Sequence, residues 1–511
     1  MQIQKGGSTM KIKELLKEEW IKTETLNGCA AYRTTLDACL NLFSRAGGMR
    51  SAESFYLYKK CFLPAYIENS DLAMKLLFYI RDIWMGMGER EIFRKIVERL
   101  ANDYPDSVRK NIEYFGTYGR FDDLFVLLGT KCEKDMISYI SRQLKKDEKN
   151  MESGNNTKIS LLAKWMPSVN TSGKRTAALG KEIAKKLGMS EKEYRKRLSA
   201  LRRKIGLIET DLSQKKETVS YEKIPAKAML KYHKALAKKE MFLEYLRKVD
   251  AGISKMNTLP LFPYEITRPL MKNETRLFRR NTDQKTVPEI TRSFLNTMWN
   301  AKNENLGTEN TLVVADGSAS MYWVEREHVT PALIAQTMAL FYAERNHGGF
   351  HNCFITFSMR PQLIEIKGKD LQQKLQYIQS FGEAANTDIL AVFRLILKTA
   401  QENGLSQEEM PSALYLISDM EFDQCAQNAG KTAFETAKEE YERAGYHLPV
   451  VVFHNVNSFQ SQFPVKKDTK GTAMTSGSSS AVFRQKADKE TTPYDFMLRV
   501  LMSKRYRPIC A

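Results

Sequence analysis

The sequence has few of the patterns that mark secreted, membrane or metalloenzyme proteins. Its seven cysteines are scattered and never form a Cys-x-x-Cys pair, so neither a disulfide framework nor a zinc site is indicated. Its six histidines contain no His-Glu-x-x-His pair. No apolar run is long enough to cross a bilayer, and the first ten residues lack the apolar stretch of a secretory signal. We therefore expect a soluble, cytoplasmic protein without a membrane partner.

Common enzyme signatures are also missing. The chain contains no Gly-x-x-x-x-Gly-Lys-Ser/Thr phosphate loop, and no Gly-x-Ser-x-Gly elbow follows a predicted strand. Ser318 lies at a nucleophile-like turn, but a serine hydrolase also needs a positioned histidine. His454 is the formal candidate, and its place at a strand end favours a structural role. We expect no catalytic residue and no enzymatic activity.

The chain is long and strongly basic. Its 511 residues are enough for two or three domains, and it carries 79 Lys and Arg against 60 Asp and Glu, a formal charge of +19. Residues 141–250 alone hold 28 basic and 13 acidic residues, whereas residues 306–511 hold 21 and 23. So large and local an excess favours a polyanionic partner, with nucleic acid as the first candidate.

The first part of the chain is predicted to be helical almost throughout. Apolar residues recur three or four positions apart, with short Gly, Pro or Asn breaks between the segments, in Leu72–Ile83, Glu91–Asn102, Val108–Phe115, Asp122–Leu128, Asp135–Leu144 and Thr176–Leu187. Each helical hairpin exposes an apolar face that a neighbouring hairpin must cover. We predict a HEAT-like α-helical solenoid or ring over residues 1–305.

The pattern changes to alternating strands and helices over residues 306–511. Short apolar runs predict strands at Thr311–Ala315, Cys353–Phe357, Ala413–Ile417 and Pro449–Phe453, and periodic segments predict helices at Pro331–Arg345, Asp388–Gln401 and Lys431–Ala444. Such alternation gives a doubly wound parallel sheet, whose functional loops follow the carboxyl ends of the strands. The small polar residues of Lys466–Lys486 predict a flexible loop.

Hydroxyl and carboxylate side chains lie in three loops of this part of the chain. Asp316, Ser318 and Ser320 come after the first strand, Thr387 and Asp388 lie in a middle loop, and Asp419 follows a later strand. Oxygen ligands of this kind suit a small hard cation such as Mg²⁺. Without a metal, the same residues would serve as helix N-caps.

The spacing Asp-x-Ser-x-Ser, with a threonine in a middle loop and a later aspartate, resembles the metal-ion-dependent adhesion site of von Willebrand factor A domains. The resemblance implies that Ser318, Ser320 and Thr387 ligate Mg²⁺ (or Mn²⁺) and that Asp316 and Asp419 act directly or through water. It also implies an open position for the carboxylate of an acidic protein partner. Ala319 replaces the usual glycine between the serines.

The helical part resembles the TROVE module of Ro ribonucleoproteins, and more closely proteins that fuse such a module to an A-type domain. The matching segments, in chain order, are Leu76–Asp82, Gly86–Glu91, Tyr118–Leu124, Leu161–Pro167, Leu187–Ser190, Tyr194–Leu198, Tyr221–Pro225 and Leu261–Ile266. The resemblance implies a ring that binds single-stranded 3′ ends of misfolded RNA and structured non-coding RNA. Ala200 and Glu191 stand where Ro proteins carry histidines, so the RNA class is left open.

Clusters of basic residues in the same region support RNA binding independently. Lysines and arginines recur on helical segments, where they could follow a phosphate backbone: Lys174, Arg175, Lys185, Lys186, Lys192, Arg195, Arg197, Arg202, Arg203 and Lys204. Trp165, Tyr194 and Tyr221 lie among or near them and could stack on bases. The alternative is an ordinary solvated face on amphipathic helices.

Two other functions stay open from the sequence. One is a metal-dependent protein-interaction scaffold that binds no RNA. The other is a metal nuclease in which Asp419, Glu421 and Asp423 assist Asp316 at two metal ions.

Overall fold

The structure is a computed structural model. It describes residues 12, 16, 19–206, 208–213, 220–271, 287–304, 306, 310–322, 329–357, 360–381, 388–422, 431–458 and 461–511. Among these residues, no helix combines the length and the apolar character that a membrane span requires.

The chain forms two compact units. One unit contains residues 1–52 and 261–503, and the other contains residues 53–260 and 504–511. These limits differ from the predicted division at residues 305 and 306, because residues 261–305 belong to the α/β unit and because each chain end packs on the unit that is distant from it in sequence. The helical part and the α/β part themselves are as predicted.

The amino-terminal segment includes two strands that the sequence pattern did not predict. Strand β1 (Lys22–Glu24) pairs antiparallel with β2 (Ala30–Tyr32), and helix α1 (Ala38–Phe43) follows. The Thr25 hydroxyl at the hairpin donates to the Phe422 carbonyl at 2.6 Å, and Tyr32 exchanges two backbone hydrogen bonds with Phe463. These bonds make the hairpin part of the α/β unit.

The second unit is built from helices. After a π-helical segment at Tyr56–Phe62, they are α2 (Leu63–Glu68), α3 (Ser70–Arg81), α4 (Arg90–Asp103), α5 (Pro105–Arg109), α6 (Phe115–Tyr118), α7 (Glu133–Glu152), α8 (Leu162–Trp165), α9 (Lys174–Lys186), α10 (Glu191–Ile205), α11 (Ile208–Ser213), α12 (Ala226–Leu236) and α13 (Glu240–Asp250). Two predicted helices differ in the structure: Val108–Phe115 is divided between the end of α5, a 3₁₀ turn at Ile112–Tyr114 and the start of α6, and Asp122–Leu128 falls in a 3₁₀ helix at Phe121–Leu127.

A buried ion network holds the first of these helices together. The Asp123 carboxylate is fully buried and accepts hydrogen bonds from Arg81 Nε at 2.7 Å and Arg94 Nε at 2.6 Å. Gly119 is required beside it, since an added Cβ would lie 2.5 Å from Asp123 Oδ2 and 2.6 Å from Arg81 Nε. The network therefore explains the glycine in the segment Tyr118–Leu124.

The α/β unit contains the remaining elements. In chain order they are α14 (Pro263–Thr267), α15 (Glu289–Ala301), β3 (Thr311–Asp316), α16 (Pro331–Arg345), β4 (Cys353–Phe357), β5 (Leu363–Glu365), α17 (Leu371–Gln379), α18 (Ile389–Asn403), β6 (Ala413–Ser418), α19 (Ala433–Arg443), β7 (Val450–Asn455), β8 (Thr472–Ser476) and α20 (Pro493–Leu501).

Strands β3 to β8 form one sheet with the order β5-β4-β3-β6-β7-β8. All pairs are parallel except the β4–β5 pair at one edge. The strand order reverses between β3 and β6, and the crevice at such a switch point is the usual ligand site of an open α/β sheet. This position is where Asp316 and Asp419 end or follow their strands.

The predicted loop at Lys466–Lys486 contains an edge strand instead. Every residue of β8 is buried, and its polar side chains are hydrogen bonded: Thr475 Oγ1 lies 2.7 Å from His454 Nδ1, and the Ser476 hydroxyl donates to the Phe43 carbonyl at 3.0 Å. Small polar residues thus occupy a buried strand because the amino-terminal segment covers the sheet edge.

We expect Asp123→Asn to destabilise the helical unit by about 3 kcal/mol, because it leaves the buried Arg81 without its charge partner. Urea denaturation followed by far-ultraviolet circular dichroism would measure this loss. Asp135→Asn is the matched control, since the Asp135–Arg109 pair is exposed and should contribute little. Equal effects of the two changes would contradict the role assigned to the buried network.

Candidate functional site

The two predicted aspartates lie at the switch point of the sheet. Asp316 is the last residue of β3 and is fully buried, and Asp419 directly follows β6 and is 4% exposed. The Ser418 hydroxyl donates to Asp316 Oδ2 at 2.5 Å, which joins the ends of the two neighbouring strands. The structure therefore brings together the carboxylates that were predicted to share a site.

The two predicted serines lie beside these carboxylates. The Ser318 amide donates to Asp316 Oδ1 at 2.8 Å, and the Ser318 and Ser320 hydroxyl oxygens are 3.0 Å apart. Asp419 Oδ1 accepts the Glu421 amide at 3.2 Å, whereas the buried Oδ2 has no hydrogen-bond partner in the described part of the chain. Two hydroxyls and an unsatisfied carboxylate oxygen are thus available to a ligand.

The cluster is electrostatically unfavourable as an isolated set of anions. Burial, together with the charge of Asp419, raises the pKa of Asp316 to about 7. Burial also raises the pKa of Asp419, although the nearby Ser320 hydroxyl opposes this. A bound divalent cation would compensate both charges and satisfy Asp419 Oδ2. The donor set, oxygen only, fits a hard cation.

The middle-loop residue Thr387 lies outside the described residues. Its neighbour Asp388 is described, and its side chain accepts the Ala391 amide at 3.0 Å as the N-cap of α18. Asp388 therefore acts as a helix cap, as the alternative interpretation of these loops required. Within the described ranges, no group of three or more His, Cys, Asp or Glu side chains converges on one point, so any cation here depends on hydroxyl ligands.

Other polar groups at this sheet edge have structural partners. Glu421 accepts hydrogen bonds from the Leu26 amide at 3.2 Å and from Gln462 Nε2 at 2.9 and 3.0 Å, which fastens the loop after β6 to the amino-terminal hairpin. Asp423 lies outside the described residues. His454 is buried, and its ring nitrogens lie 2.7 Å from Thr475 Oγ1 and 2.8 Å from the Gly477 carbonyl. Burial lowers the pKa of His454 to about 4, so it is neutral and structural.

Seven of the ten predicted RNA-contacting side chains form what we call the α9–α10 surface. They are exposed and make no ion pair within the described chain: Lys174, Arg175, Lys185, Lys192, Arg195, Arg203 and Lys204. The sequence of α10 contains seven basic and two acidic residues. None of these seven side chains is therefore held in an ion pair by a carboxylate of the described residues.

The other three predicted residues hold the helical unit together. Arg202 donates to the Ala163 carbonyl at 2.8 Å, to the Met166 carbonyl at 2.6 Å and to Ser168 Oγ at 2.8 Å. Arg197 donates two hydrogen bonds to Glu148, at 2.5 and 2.7 Å, and Lys186 pairs with Glu133 at 2.5 Å. Each of the three thus has a partner within the helical unit, and their contact with RNA stays a prediction.

The aromatic residues proposed as base platforms are mostly unavailable. Tyr194 and Tyr221 are 1% and 6% exposed, and the Tyr194 hydroxyl donates to the Pro167 carbonyl at 3.0 Å. Trp165 is half-buried, and the Arg120 guanidinium lies 4.1 Å from its ring centroid. Stacking on Tyr194 or Tyr221 is therefore corrected to a role in the helical core.

Two family models and one curated relative match this chain. Residues 134–312 match a family model described as a domain of unknown function (DUF2828), and residues 310–493 match a second one (DUF7788). The uncharacterized protein L728 of Acanthamoeba polyphaga mimivirus is 25% identical over 527 aligned residues, which cover 95% of this chain and 88% of that protein.

Among solved structures, the chain is similar to the Ro (RSR) protein of Deinococcus radiodurans. The superposition covers 91% of this chain and 93% of that one, with a TM-score of 0.37 and 11% sequence identity.

We expect Arg202→Gln to destabilise the helical unit by about 2 kcal/mol, because three hydrogen bonds from a charged group to the segment 163–168 are lost. Arg203→Gln, its exposed neighbour, is the control and should leave the urea midpoint unchanged. A midpoint that falls equally in both variants would show that Arg202 has no special structural role.

Proposed function

We propose that the protein is a Ro-like RNA-binding protein without catalytic activity. Its helical unit would be a TROVE-like, HEAT-like module that binds non-coding or misfolded RNA through single-stranded 3′ ends and structured regions. Its α/β unit would be a von Willebrand factor A-like domain with a metal-ion-dependent adhesion site. The observation that carries the RNA part is the α9–α10 surface, whose seven basic side chains are exposed and form no ion pair with any described residue.

The chemistry of this surface fits a phosphate backbone better than specific bases. Lysine and arginine side chains neutralise phosphates and release counterions, which gives affinity without sequence selectivity. Because Tyr194 and Tyr221 are buried, base stacking contributes little at these positions. We therefore infer recognition of RNA charge and shape, with strong salt dependence.

The carboxylate–hydroxyl cluster supports a second, metal-dependent function. Ser318, Ser320, Asp316 and Asp419 would hold Mg²⁺ (or Mn²⁺), with Thr387 from the middle loop. When bound, the cation would offer an open position to the carboxylate of an acidic protein partner. The observation that favours this function is the buried Asp419 Oδ2, which has no hydrogen-bond partner among the described residues. The alternative in which the protein binds no RNA is a metal-dependent protein-interaction scaffold.

A nuclease at the same edge has less support. Both carboxylate oxygens of Glu421 accept hydrogen bonds from Gln462, and one also accepts the Leu26 amide. That side chain is thus committed to the contact between the loop after β6 and the amino-terminal hairpin, which leaves a single-cation docking site as the better interpretation.

We expect the combined change Lys192→Gln, Arg195→Gln and Arg203→Gln to weaken binding to a structured RNA with a single-stranded 3′ tail. The slope of log K against log salt should become shallower by about 2, since each lost contact to a single strand removes about 0.7. Equilibrium binding across a salt series measures this slope, and the blunt form of the same RNA tests dependence on the tail.

The matched control is Lys398→Gln, Lys438→Gln and Lys489→Gln, which removes the same charge from exposed positions of the α/β unit. This control should retain the wild-type slope. Loss of slope in both variants would mean that only net charge matters, and wild-type protein that fails to bind RNA at low salt would leave the scaffold as the function.

We expect Asp316→Asn to raise the metal-free melting temperature at pH 8 and to abolish the stabilisation by Mg²⁺. The folded-state pKa of Asp316, about 7, lies above its unfolded value. Its contribution to stability is therefore present at low pH and is lost as the pH rises through 7. Mg²⁺ at a hundred times its Kd should stabilise the wild type by about 2.7 kcal/mol.

Differential scanning fluorimetry at pH 5 and pH 8, with Mg²⁺ or with a chelator, measures both effects. Asp468→Asn, at an exposed position of the same unit, should behave as the wild type. A variant Asp316→Asn that keeps the full response to Mg²⁺ would rule out this cluster as the metal site.

A further inference from the structure

The turn between β1 and β2, residues 25–29, contacts the loop that follows β6. We call it the hairpin turn. The Thr25 hydroxyl donates to the Phe422 carbonyl at 2.6 Å, across 397 positions of sequence. Asn27 Nδ2 donates to the Glu421 carbonyl at 3.0 Å, across 394 positions. Two adjacent carbonyls of that loop are therefore held by side chains of the amino-terminal segment.

The shape of the hairpin turn is fixed by its own hydrogen bonds. The Thr25 amide donates to the Cys29 carbonyl at 2.8 Å, and the Cys29 amide donates to the Thr25 hydroxyl oxygen at 3.0 Å. Gly28 has a φ of 82°, a left-handed conformation that glycine adopts without steric cost. A pre-organised turn loses little conformational entropy when its donors bind, so Thr25 and Asn27 can hold the loop firmly.

The loop connects these contacts to Asp419. The Glu421 amide donates to Asp419 Oδ1 at 3.2 Å, while the Glu421 side chain accepts the Leu26 amide at 3.2 Å. The second carboxylate oxygen, Asp419 Oδ2, is buried and has no hydrogen-bond partner among the described residues. The backbone of Glu421 therefore holds one oxygen of the carboxylate and leaves the other for a cation.

A second path leads from the loop to Asp316. The Met420 amide donates to the Ser418 hydroxyl oxygen at 2.9 Å, and that hydroxyl donates to Asp316 Oδ2 at 2.5 Å. Met420 has a φ of 67°, which residues other than glycine seldom adopt. Such a conformation persists only where surrounding contacts fix it, and the hairpin turn supplies contacts to the next two residues. Both carboxylates of the cluster thus depend on the hairpin turn.

We propose that the hairpin turn positions the two carboxylates for the cation, so that cation binding and hairpin docking strengthen each other. This inference rests on the proposed metal site. Thr25 and Asn27 act through the backbone of the loop and are positioning residues. Groups that orient a metal ligand from outside its coordination sphere typically change the affinity by about 10- to 100-fold. Coupling between two binding events is reciprocal, so cation binding should strengthen the contacts of the hairpin turn by the same factor.

The hairpin has a separate anchor at its open end. Tyr32 pairs with Lys22 at the end of the two strands that lies away from the turn. Tyr32 exchanges backbone hydrogen bonds with Phe463 at 2.9 and 2.7 Å, and its hydroxyl donates to Glu435 Oε1 at 2.7 Å. The turn and the open end are held by different parts of the α/β unit, so one can be changed without the other.

The test measures the binding of Mn²⁺ to the full chain with Thr25→Val and Asn27→Ala. Electron paramagnetic resonance of free Mn²⁺ gives its dissociation constant, and competition gives that of Mg²⁺. We expect both constants to rise about tenfold, because the contacts that orient Asp419 are lost. Thr25→Ser, which keeps the hydroxyl donor, should bind as the wild type does. Asn27→Ala alone, at an exposed position, should show a smaller rise and serves if the double variant does not fold.

Tyr32→Phe is the matched control, because it removes one side-chain hydrogen bond of the same hairpin away from the loop. It should leave the dissociation constants unchanged. The melting temperature in chelator is compared for all variants. Equal losses of affinity in Tyr32→Phe and in the double variant would show that the hairpin only stabilises the fold, and the inference would be wrong.

Hydrogen exchange of the Leu26 amide tests the reciprocal effect. This amide donates to Glu421 Oε2 at 3.2 Å. Saturating Mg²⁺ should slow its exchange in the wild type by about tenfold, the same factor as the change in affinity. Asp316→Asn, which disables the proposed metal site, should show no slowing. Exchange that Mg²⁺ leaves unchanged in the wild type would contradict the coupling.

The outcomes separate this inference from the proposed function. Wild-type protein that binds neither Mn²⁺ nor Mg²⁺ would remove the metal site and the positioning role together. If the wild type binds the cations and the double variant binds them equally well, the positioning role alone is wrong and the metal site stands.

Discussion

The α/β unit is organised around two carboxylates that a parallel sheet forces together. Asp316 ends β3 and Asp419 follows β6, and these strands are neighbours because the strand order reverses between them. Each carboxylate is buried, and two buried like charges oppose each other's ionisation. The sheet cannot relieve this repulsion without changing its topology. Protonation of Asp316, whose pKa is raised to about 7 by burial and the charge of Asp419, relieves the repulsion, and a cation at the proposed metal site would relieve it as well.

The same edge depends on a segment nearly 400 residues away in sequence. The amino-terminal hairpin donates from Leu26 to Glu421 and from Thr25 to the Phe422 carbonyl, which fixes the loop that begins at Asp419. Met420 within that loop has a positive φ of 67°, a conformation that non-glycine residues seldom adopt. Tertiary hydrogen bonds must hold this backbone in place. The carboxylate geometry is thus a product of the whole unit, and the metal motif alone does not determine it.

Sequence periodicity predicted the strands and helices that bury apolar residues. It did not predict the elements whose buried residues are polar. The strand at Cys353–Phe357 and the helix at Pro331–Arg345 have the predicted bounds. In contrast, the sequence of β8 predicts a loop because its residues are small and polar. The partners that accept or donate hydrogen bonds to its buried hydroxyls are distant in sequence, so no local pattern indicates the strand. The carboxylate–hydroxyl cluster was recognisable from Asp316, Ser318, Ser320 and Asp419. The structural role of Arg202 could not be recognised from the sequence. An arginine within a basic run gives no local sign that its guanidinium donates hydrogen bonds to the segment 163–168.

The structure uses its two basic residue types differently, and this difference bears on what the helical unit recognises. Arg81, Arg197 and Arg202 have their donors directed into the protein, where the planar guanidinium can make several fixed hydrogen bonds. Lysines make up four of the seven members of the α9–α10 surface. Lysine is a flexible point charge, whereas bidentate arginine contacts are the commonest means of reading a base edge. A surface in which much of the arginine is held internally and lysine points outward should therefore bind nucleic acid through its charge, and selectivity would have to come from the shape of the RNA.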